Sequence, residues 1–514
     1  MIRRRLLTGA LSNFGGKLTS VGTWFVLTPF MLAELGPRSY ALWVLMTAVG
    51  SYGSLLDFGI GGAVVKYVAE HIARGEREAA KEVIATALWL SLGLALAAVG
   101  LSVLIAPVLP GLVGVPADER STAMWLVILT GVDLAITIAF TPPVSVLRGL
   151  QRYDLYNGVN VAGSLLLAGA TVGALLAGGG VLGMVAMNIP VTIVMRVVAC
   201  SLIKYVAPDL TLQWRGANLA TLRRIASFGW SAFVIDVAGR LQNKTDEFII
   251  AVFGALSAVT PYALARRLGE ATALATVQCL KVVMPLASEL DAVDHGRKLR
   301  NLYVVASRLA LGIAGPVAVV LLILGGPILA LWVGPVYAAH ANLVAVLGLA
   351  SLIAASQWPA GEILQGMAKH RIVAATSLAA GVANMALSIL LLPPLGLMGV
   401  ALGTLIPTAI ASLCVVMPFA NRTLNVSWHT ALWEIWLPGI LPGACAAGVL
   451  LTLERRVETP TIGVLVSWVV VTLLVYGIVY LSMPASRAER QLVSDLMIEG
   501  SRRLRRLRPG SLEA

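Results

Sequence analysis

Apolar stretches long enough to cross a membrane recur along the whole chain, and they constrain the fold more than any other feature. A helix needs about 20 mainly apolar residues to cross the hydrocarbon core of a bilayer. Fourteen windows meet that requirement: 8–34, 39–66, 82–107, 121–147, 156–177, 180–203, 224–253, 258–286, 301–332, 341–365, 371–392, 395–420, 430–452 and 461–483. We therefore predict an all-α polytopic membrane protein with about fourteen transmembrane helices. The short turns after 177 and 392 are predicted at Gly178-Gly179-Gly180 and at Pro393-Pro394.

The composition excludes the soluble alternatives. Only 12% of the 514 residues are charged and 58% are hydrophobic, whereas average globular chains carry roughly 25% charged residues. The mean hydropathy is +0.86. A disordered chain, a secreted disulfide scaffold and an ordinary cytosolic enzyme are therefore excluded. A transmembrane β-barrel is excluded as well, because it would show alternating segments of roughly 10 residues.

The distribution of lysine and arginine predicts the orientation. If the N-terminus is cytoplasmic, the inside connections hold 26 of these residues and the outside connections hold four, at Arg38, Arg120, Arg455 and Arg456. This asymmetry follows the positive-inside rule and predicts that both termini are cytoplasmic. It also accounts for most of the net charge of +12 without any nucleic-acid partner.

Several short motifs recur at an offset of about 217 residues, which indicates an internal duplication. Val146–Arg152 (VLRGLQR) resembles Ile363–Lys369 (ILQGMAK), and Gly183 with Pro190 resembles Gly399 with Pro407. That offset spans six helices, so both copies enter the membrane in the same orientation and form two pseudo-symmetric lobes. The predicted organisation is an N-lobe of spans 1–6 at 1–203, a cytoplasmic linker at 204–223, a C-lobe of spans 7–12 at 224–428, two extra spans at 429–483 and a basic cytoplasmic tail at 484–514.

Ionisable residues inside the predicted spans are the candidate functional residues. Each costs about 2.5–3.5 kcal/mol at the centre of a bilayer on insertion scales, so each needs a partner or a function. They include Lys17, Asp57, Asp133, Asp236, Arg240, Lys244, Glu247, Arg266, Arg267, Glu270, Arg308 and Glu362. The steps of 4, 4 and 3 from Asp236 to Glu247 place those charges on one helix face.

Two interpretations of these charges stay open. Cations and acids nearly balance in spans seven and eight, so mutual ion pairs would account for them. Alternatively they line a wet cavity between the lobes, where the cations bind an anionic headgroup and the acids transmit protons or sodium. On the second interpretation the candidates for ion coupling are Asp57, Asp133, Glu270 and Glu362.

Signals for an enzyme are absent from the sequence. The five histidines fall at span ends or in loops, and no nucleotide-binding loop is present. We predict no catalytic residues, no metal and no organic cofactor. A membrane glycosyltransferase, polymerase or ligase is the alternative of another class, but it would need catalytic residues in a sizeable outside loop, and none is long enough. A scaffold for an assembly complex, in which the intramembrane charges are inert, is a further alternative.

Five motifs give the chain a family resemblance. Leu55–Gly61 (LLDFGIG) and Val64–Glu70 (VVKYVAE) resemble the second span of bacterial polysaccharide flippases of the Wzx type. Leu147–Arg152 resembles their loop between spans four and five, Thr245–Ile250 the end of span seven and Tyr262–Leu268 the start of span eight. These flippases belong to the multidrug/oligosaccharidyl-lipid/polysaccharide (MOP) exporter superfamily. The resemblance extends over nearly the whole chain through span twelve.

The resemblance implies a two-lobed helical bundle in the bacterial inner membrane that works by alternating access. Its substrate would be an undecaprenyl-pyrophosphate-linked oligosaccharide, with membrane lipids, a polysaccharide polymerase and glycosyltransferases of the same pathway as partners. A proton or sodium gradient would drive it. The matching substrate-binding positions are Lys17, Arg240, Lys244, Arg266 and Arg267. A cation-coupled drug exporter or a lipid II flippase of the same superfamily is the alternative within transport.

Overall fold

The computed structural model describes residues 2–210, 214–293, 296–457, 460–487 and 489–491. Within these ranges the side chains of residues 2–18 and of 231–232, 234–235, 238 and 242–243 are outside the description. All regular secondary structure in the described residues is helical, as the apolar windows predict. Besides α-helix it includes short 3₁₀ segments and the π-helical stretches Ile410–Val416 and Ala431–Trp436, and turns and loops connect these elements.

The helices follow the predicted windows in order. In the first part of the chain they are α1 Ile2–Gly53, α2 Ile60–Ala73, α3 Arg77–Ile105, α4 Leu109–Leu112, α5 Arg120–Ala139, α6 Thr141–Gly149, α7 Tyr153–Leu176, α8 Gly180–Ala186, α9 Asn188–Val206, α10 Leu219–Lys244 and α11 Asp246–Phe253. They continue as α12 Leu256–Leu280, α13 Val283–Ala292, α14 Gly296–Val333, α15 Ala341–Gly366, α16 His370–Leu395, α17 Leu397–Ala409, α18 Met417–Thr423, α19 Trp428–Thr430, α20 Leu437–Glu454 and α21 Ile462–Ser482.

The predicted number of fourteen spans is not confirmed. Eleven helical stretches in the described residues are long and apolar enough to cross a membrane, or twelve if the bent pair α12–α13 is one span. Two windows account for the difference. The stretch Thr19–Asp57 counts once although it covers parts of the first two windows, and the charged window 224–253 does not qualify.

The break predicted between the first two windows is confirmed, because α1 consists of two helices that meet at a kink at Gly36 with φ 71° and ψ 168°. The second window runs past the end of α1 into α2. The turn predicted at Pro393-Pro394 differs from the structure, because α16 continues through the two prolines to Leu395 and the turn falls at Gly396 with φ 58°. Glycine has no Cβ and enters this left-handed region without strain, so it forms the turn instead of the prolines. The predicted turn at 178–180 is confirmed, with Gly178 at φ 75°.

The chain divides into two compact units. One comprises Met1–Ala263 and Ser377–Gly403, and the other comprises Leu264–Thr376 and Thr404–Ala514. The lobe boundaries drawn from the sequence remain a prediction. In the first unit the core joins α2, α3, α6, α9 and α10, with Ile60, Val64, Ile84, Val146 and Leu147 almost fully buried.

In the second unit α14 is the central element, and α20 and α21 pack against it. Tyr476 of α21 is buried, and its hydroxyl donates to the carbonyl oxygens of Leu311 and Gly439, each at 3.0 Å. The ring lies on Gly315, where a Cβ would come within 2.3 Å of the tyrosine oxygen. Close helix packing on glycine of this kind is common in membrane bundles. The two extra C-terminal helices are therefore an integral part of this unit.

The duplicated motifs form the same turn in both copies. At the end of α6, Gln151 has φ 58° and the Arg152 N–H donates to the Leu147 carbonyl. At the end of α15, Ala368 has φ 58° and the Lys369 N–H donates to the Leu364 carbonyl. This bond from the residue after the left-handed position back into the last helical turn is that of a Schellman C-cap. The agreement in backbone geometry supports the duplication inferred from sequence.

Candidate functional site

The second predicted span is broken at the residue that the sequence singled out, Asp57. A 3₁₀ turn at Ser54–Asp57 is followed by Phe58 and Gly59, which have φ 46° and 69°. α2 then begins at Ile60. Because two successive residues leave the helical region, backbone groups at this depth are freed from helical hydrogen bonds. In membrane proteins, irregular backbone is tolerated where it is buried in protein or lines a wet cavity.

Asp57 has one carboxylate oxygen that is bound and one that is available. Oδ2 accepts a 3.4 Å hydrogen bond from the Gly61 N–H. Oδ1 is buried and has no hydrogen-bond partner among the described residues. The carboxylate of Asp236 on α10 repels that of Asp57. Burying a carboxylate oxygen without a hydrogen-bond partner costs folding free energy unless the group takes up a proton or a cation.

Arg240 on α10 is anchored to α1 by a neutral group. Its Nη1 donates to the hydroxyl of Ser51, and Tyr52 donates to the Arg240 carbonyl at 3.3 Å. The Tyr52 hydroxyl also lies 2.6 Å from the Thr245 hydroxyl. Within the described part of the chain, neither Arg240 nor Lys244 is paired with a carboxylate. These two cations therefore keep their charge available to a ligand.

The charged stripe of the seventh span is divided between two helices. α10 ends at Lys244 and α11 begins at Asp246. Asp236 is exposed, whereas Glu247 is 3% exposed. Asp246 is also buried and accepts a 2.6 Å hydrogen bond from the hydroxyl of Tyr262. The two acids at the start of α11 are thus buried, whereas the two cations near the end of α10 are more accessible to solvent.

A large apolar cavity of about 630 Å³ lies beside Arg240 in the same unit. Its walls come from α1, α3, α5, α10 and α11, and Tyr52 and Thr245 are on its lining. The rest of the lining is mainly aliphatic and aromatic. A cavity of this size and polarity suits an apolar ligand group.

Asp133, the other acid predicted in the first lobe, belongs to a polar cluster between α5 and α9. Thr192 donates a 2.6 Å hydrogen bond to Asp133 Oδ1, and Arg196 donates to Thr137 Oγ1 at 3.4 Å. Asp133 and Arg196 attract each other electrostatically. The Nε atom of Arg196 is buried without a hydrogen-bond partner in the described residues. A polar cluster in which an acid and a cation attract each other and hydrogen bonding is incomplete can rearrange when a proton or cation arrives.

The remaining candidates lie in the second unit. Arg266 is 7% exposed, and its Nε donates to Glu270 Oε1 at 3.0 Å, one helical turn away. Arg267 is half-buried on the same helix. Glu362 on α15 interacts electrostatically with Lys281, which lies at the 41° bend between α12 and α13. The ion-pair interpretation of the sequence therefore fits Arg266 with Glu270, but not Arg240 or Lys244.

Two cations that the sequence did not single out interact with predicted coupling acids. One predicted candidate has its side chain outside the described residues. Arg196 and Lys281 lie inside predicted spans, and each interacts with a predicted coupling acid. The signal was present, because any lysine or arginine inside an apolar window needs a partner. Lys17 lies on α1, but its side chain is outside the described residues. No group of three metal-ligating side chains occurs in the described part of the chain.

Comparison with known proteins gives a consistent assignment. The family model described as polysaccharide biosynthesis protein matches residues 35–342. A probable flippase, AglR of Haloferax volcanii, is 25% identical over 503 residues, which cover 96% of this chain and 99% of that protein.

Two solved transporter structures have the same fold. An inward-facing multidrug resistance MATE family transporter of the MOP superfamily gives a TM-score of 0.66 at 17% identity, covering 81% of this chain and 94% of that one. An outward-facing structure of this kind gives 0.58 at 16% identity, covering 81% and 95%. Since the family model matches more than half of the sequence, the chain belongs to the polysaccharide biosynthesis protein family, and it has the fold of MOP-superfamily transporters.

Proposed function

We propose that the protein is a flippase that moves undecaprenyl-pyrophosphate-linked oligosaccharide repeat units across the bacterial inner membrane for surface polysaccharide biosynthesis. The observation that carries this proposal is the state of Arg240. Its guanidinium is held by a serine hydroxyl, and no carboxylate neutralises it among the described residues. A partly buried cation without a counter-ion is suited to hold the pyrophosphate group of a lipid carrier.

The family and the fold support the transport step. The relative AglR is a probable flippase. The solved structures of the same fold include both inward-facing and outward-facing forms. Alternating access between two such states would carry a polar headgroup past the bilayer centre without exposing it to hydrocarbon. Because the protein would move its substrate unchanged, no catalytic residue is assigned.

Coupling to an ion gradient is supported by the acids. Asp57 has a spare buried oxygen, and Asp133 shares its cluster with Arg196. Glu362 interacts with Lys281 at a helix bend, and Glu270 with Arg266. Protonation or sodium binding at any of these carboxylates would change the balance of charge around a neighbouring cation. We propose that H⁺ or Na⁺ drives the transport cycle through this change.

The decisive experiment is translocation in vesicles. The purified protein is reconstituted with a fluorescent undecaprenyl-pyrophosphate-linked oligosaccharide, and the glycan reaching the far leaflet is measured by its accessibility to an added glycosidase. We expect translocation that exceeds the protein-free rate and rises when a proton or sodium gradient is imposed. A rate equal to that of empty vesicles would exclude the proposed substrate. A protein-dependent rate that no gradient alters would exclude the coupling.

A cation-coupled drug exporter is the second candidate, and one observation favours it. The apolar cavity of about 630 Å³ has room for a drug-sized molecule, and the solved structures of this fold include multidrug resistance transporters. Drug-susceptibility assays separate the two functions. A drug exporter lowers the accumulation of cationic dyes in cells, whereas a flippase for lipid-linked glycans leaves dye accumulation unchanged.

A further inference from the structure

Two cations of the first unit share one aromatic ring between α2 and α10. Lys66 Nζ lies 4.9 Å from the centroids of both Tyr67 and Phe228. The guanidinium carbon of Arg224 on α10 lies 4.9 Å from the same Tyr67 centroid. The Tyr67 and Phe228 rings meet edge to face at 6.2 Å. The centre of the Tyr67 ring therefore lies 4.9 Å from each of the two cationic groups.

Neither cation is neutralised by a carboxylate among the described residues. The nearby acids are engaged elsewhere: Glu70 pairs with Arg74 at 2.9 Å, and Glu82 accepts a hydrogen bond from Thr221. Lys66 and Arg224 are themselves exposed. Exposed basic side chains at a membrane surface normally extend towards water. Here cation–π contacts hold both side chains on the same ring.

This arrangement is pre-organised for an anion. Two side chains with many rotamers are already held in place, so a ligand that bridges them loses less conformational entropy. A phosphate or diphosphate would supply the counter-charge that no described carboxylate gives them. Arginine offers a planar fork to phosphate oxygens, and lysine adds a compact point charge. Arg223 is the adjacent residue on α10 and is also exposed, but it makes no ring contact among the described residues.

An exposed aromatic cluster continues from the cations along the same two helices. Gly62 and Lys66 are four residues apart on α2, so they share one face, and Phe58 lies in the break just before that helix; all three are exposed. Phe58 stacks on Phe233 of α10 at 4.8 Å, and Trp230 stacks on Phe233 at 5.5 Å. Phe58 is 36% exposed and Trp230 is 61% exposed. Such ring faces pack well against the C–H faces of a sugar.

We propose that Lys66 and Arg224, held on the ring of Tyr67, bind the phosphate groups of a membrane lipid, and that Phe58, Phe233 and Trp230 bind sugars attached to it. The phosphate part stands on the geometry of the two cations. The sugar part rests on the proposed flippase function. By the predicted orientation, Lys66 lies at the cytoplasmic end of its span, so this is where the substrate is first captured. The site is separate from Arg240, which is bound to Ser51.

The test is direct binding to the purified full chain in nanodiscs of zwitterionic lipid. The probe is undecaprenyl diphosphate, first without a glycan. We expect Lys66→Ala and Arg224→Ala each to weaken binding about tenfold, since a charge-assisted hydrogen bond is worth about 1.4 kcal/mol or more. The matched control Arg223→Ala removes the same charge one residue away and should stay within about twofold. Tyr67→Phe keeps the ring and should bind normally.

Each result decides for or against the site. Equal affinity in all variants overturns it, and so does an equal loss in Arg223→Ala, which would indicate general charge attraction. If phosphatidylglycerol competes as well as the diphosphate, the phosphate site stands but its ligand is bulk phospholipid, and the sugar part is overturned. Trp230→Ala should weaken binding of the glycan-bearing lipid and not of undecaprenyl diphosphate. No step of this test needs translocation, so failure of the proposed function is distinguishable from failure of the site.

Discussion

Gly229 lies so close to the carbonyl oxygen of Phe58 that a Cβ atom added to the glycine would sit 2.1 Å from that oxygen. The contact joins α10 to the break in the second span, next to Asp57. A side chain at position 229 would not fit against this carbonyl oxygen, which explains why α10 has a glycine there. The break is held by direct backbone contact with α10, which also carries Arg240.

We predict that Gly229→Ala disrupts this contact. The new methyl group must push the two backbones apart, and overpacking of this kind costs about 1–3 kcal/mol. The expected result is a lower Tm in a thermal-shift assay of the detergent-solubilised protein, together with reduced polysaccharide export. Gly239→Ala, on the same helix, has no side-chain or distant backbone atom within 4 Å of its added Cβ and serves as control. A Gly229→Ala protein with an unchanged Tm would contradict the close packing.

Removing a cation of the proposed binding set should abolish export while the protein stays in the membrane. Arg240→Ala eliminates a guanidinium that binds Ser51, and Lys17→Ala and Arg267→Ala remove the corresponding charges elsewhere. Arg240→Lys keeps the charge but loses the planar fork, so we expect partial activity. The measurement is surface polysaccharide in a deletion strain, normalised to membrane protein level. Arg152→Ala, which breaks an exposed ion pair with Asp154, should leave export intact. Full export by all three alanine variants would remove the binding role.

Replacing Asp57 should uncouple transport from the ion gradient. Asp57→Asn keeps the size of the side chain and its acceptor for the Gly61 N–H, but it can no longer take up a proton or pair with a cation. Transport in vesicles should then fall to the rate measured without a gradient. Asp154→Asn, an exposed acid, is the matched control. Undiminished gradient stimulation in Asp57→Asn would exclude this residue from coupling.

Asp133 tests a different kind of coupling group, because Arg196 attracts its carboxylate electrostatically. Asp133→Asn retains an acceptor for Thr192 but removes the negative charge that attracts Arg196. We expect loss of gradient stimulation together with a lower Tm, whereas Asp57→Asn changes the stimulation alone. If the double variant Asp133→Asn, Arg196→Gln recovers the Tm but not the gradient stimulation, the two residues contribute both to stability and to ion coupling. Recovery of neither would contradict the pairing of these two residues.

Much of the fold follows from local sequence patterns. Apolar windows give the helices because a bilayer requires every backbone group to be satisfied internally. The turn at Gly178 follows from its three consecutive glycines, and the break at Gly36 from the glycine-proline pair, which normally ends a helix. The break at Phe58 and Gly59 was not predictable in the same way, because it lies inside an apolar window.

The candidate site was predictable as a set of residue types but not as a set of partners. Asp133 stands out in the sequence because it is charged within an apolar window. Its contact with Thr192 joins residues 59 positions apart, and only the packing of α5 on α9 reveals it. Lys66 and Arg224 were counted in sequence as cytoplasmic loop charges. Their shared contact with Tyr67 depends on the approach of α10 to α2, which no local pattern specifies.

The last prediction concerns the link between α14 and the C-terminal segment. Arg308 Nε donates to Glu489 Oε1 at 2.7 Å, and the two side chains are 4% and 5% exposed. Nη1 also donates to the Glu434 carbonyl at 3.2 Å. Breaking a buried pair by removing one partner costs about 3–5 kcal/mol, because the other charge is left uncompensated. Arg308→Met and Glu489→Gln should therefore each lower the Tm strongly.

The double variant Arg308→Met, Glu489→Gln removes both charges and should recover most of that loss, because replacing a buried pair by neutral groups is often harmless. A thermal-shift double-mutant cycle measures the coupling energy. Independent, additive effects would mean that Glu489 is not held at Arg308. If the coupling is large and the double variant still exports polysaccharide, the pair fixes the C-terminal segment against α14 and takes no part in transport. Loss of export in a double variant of normal stability would instead give this pair a role in the transport cycle.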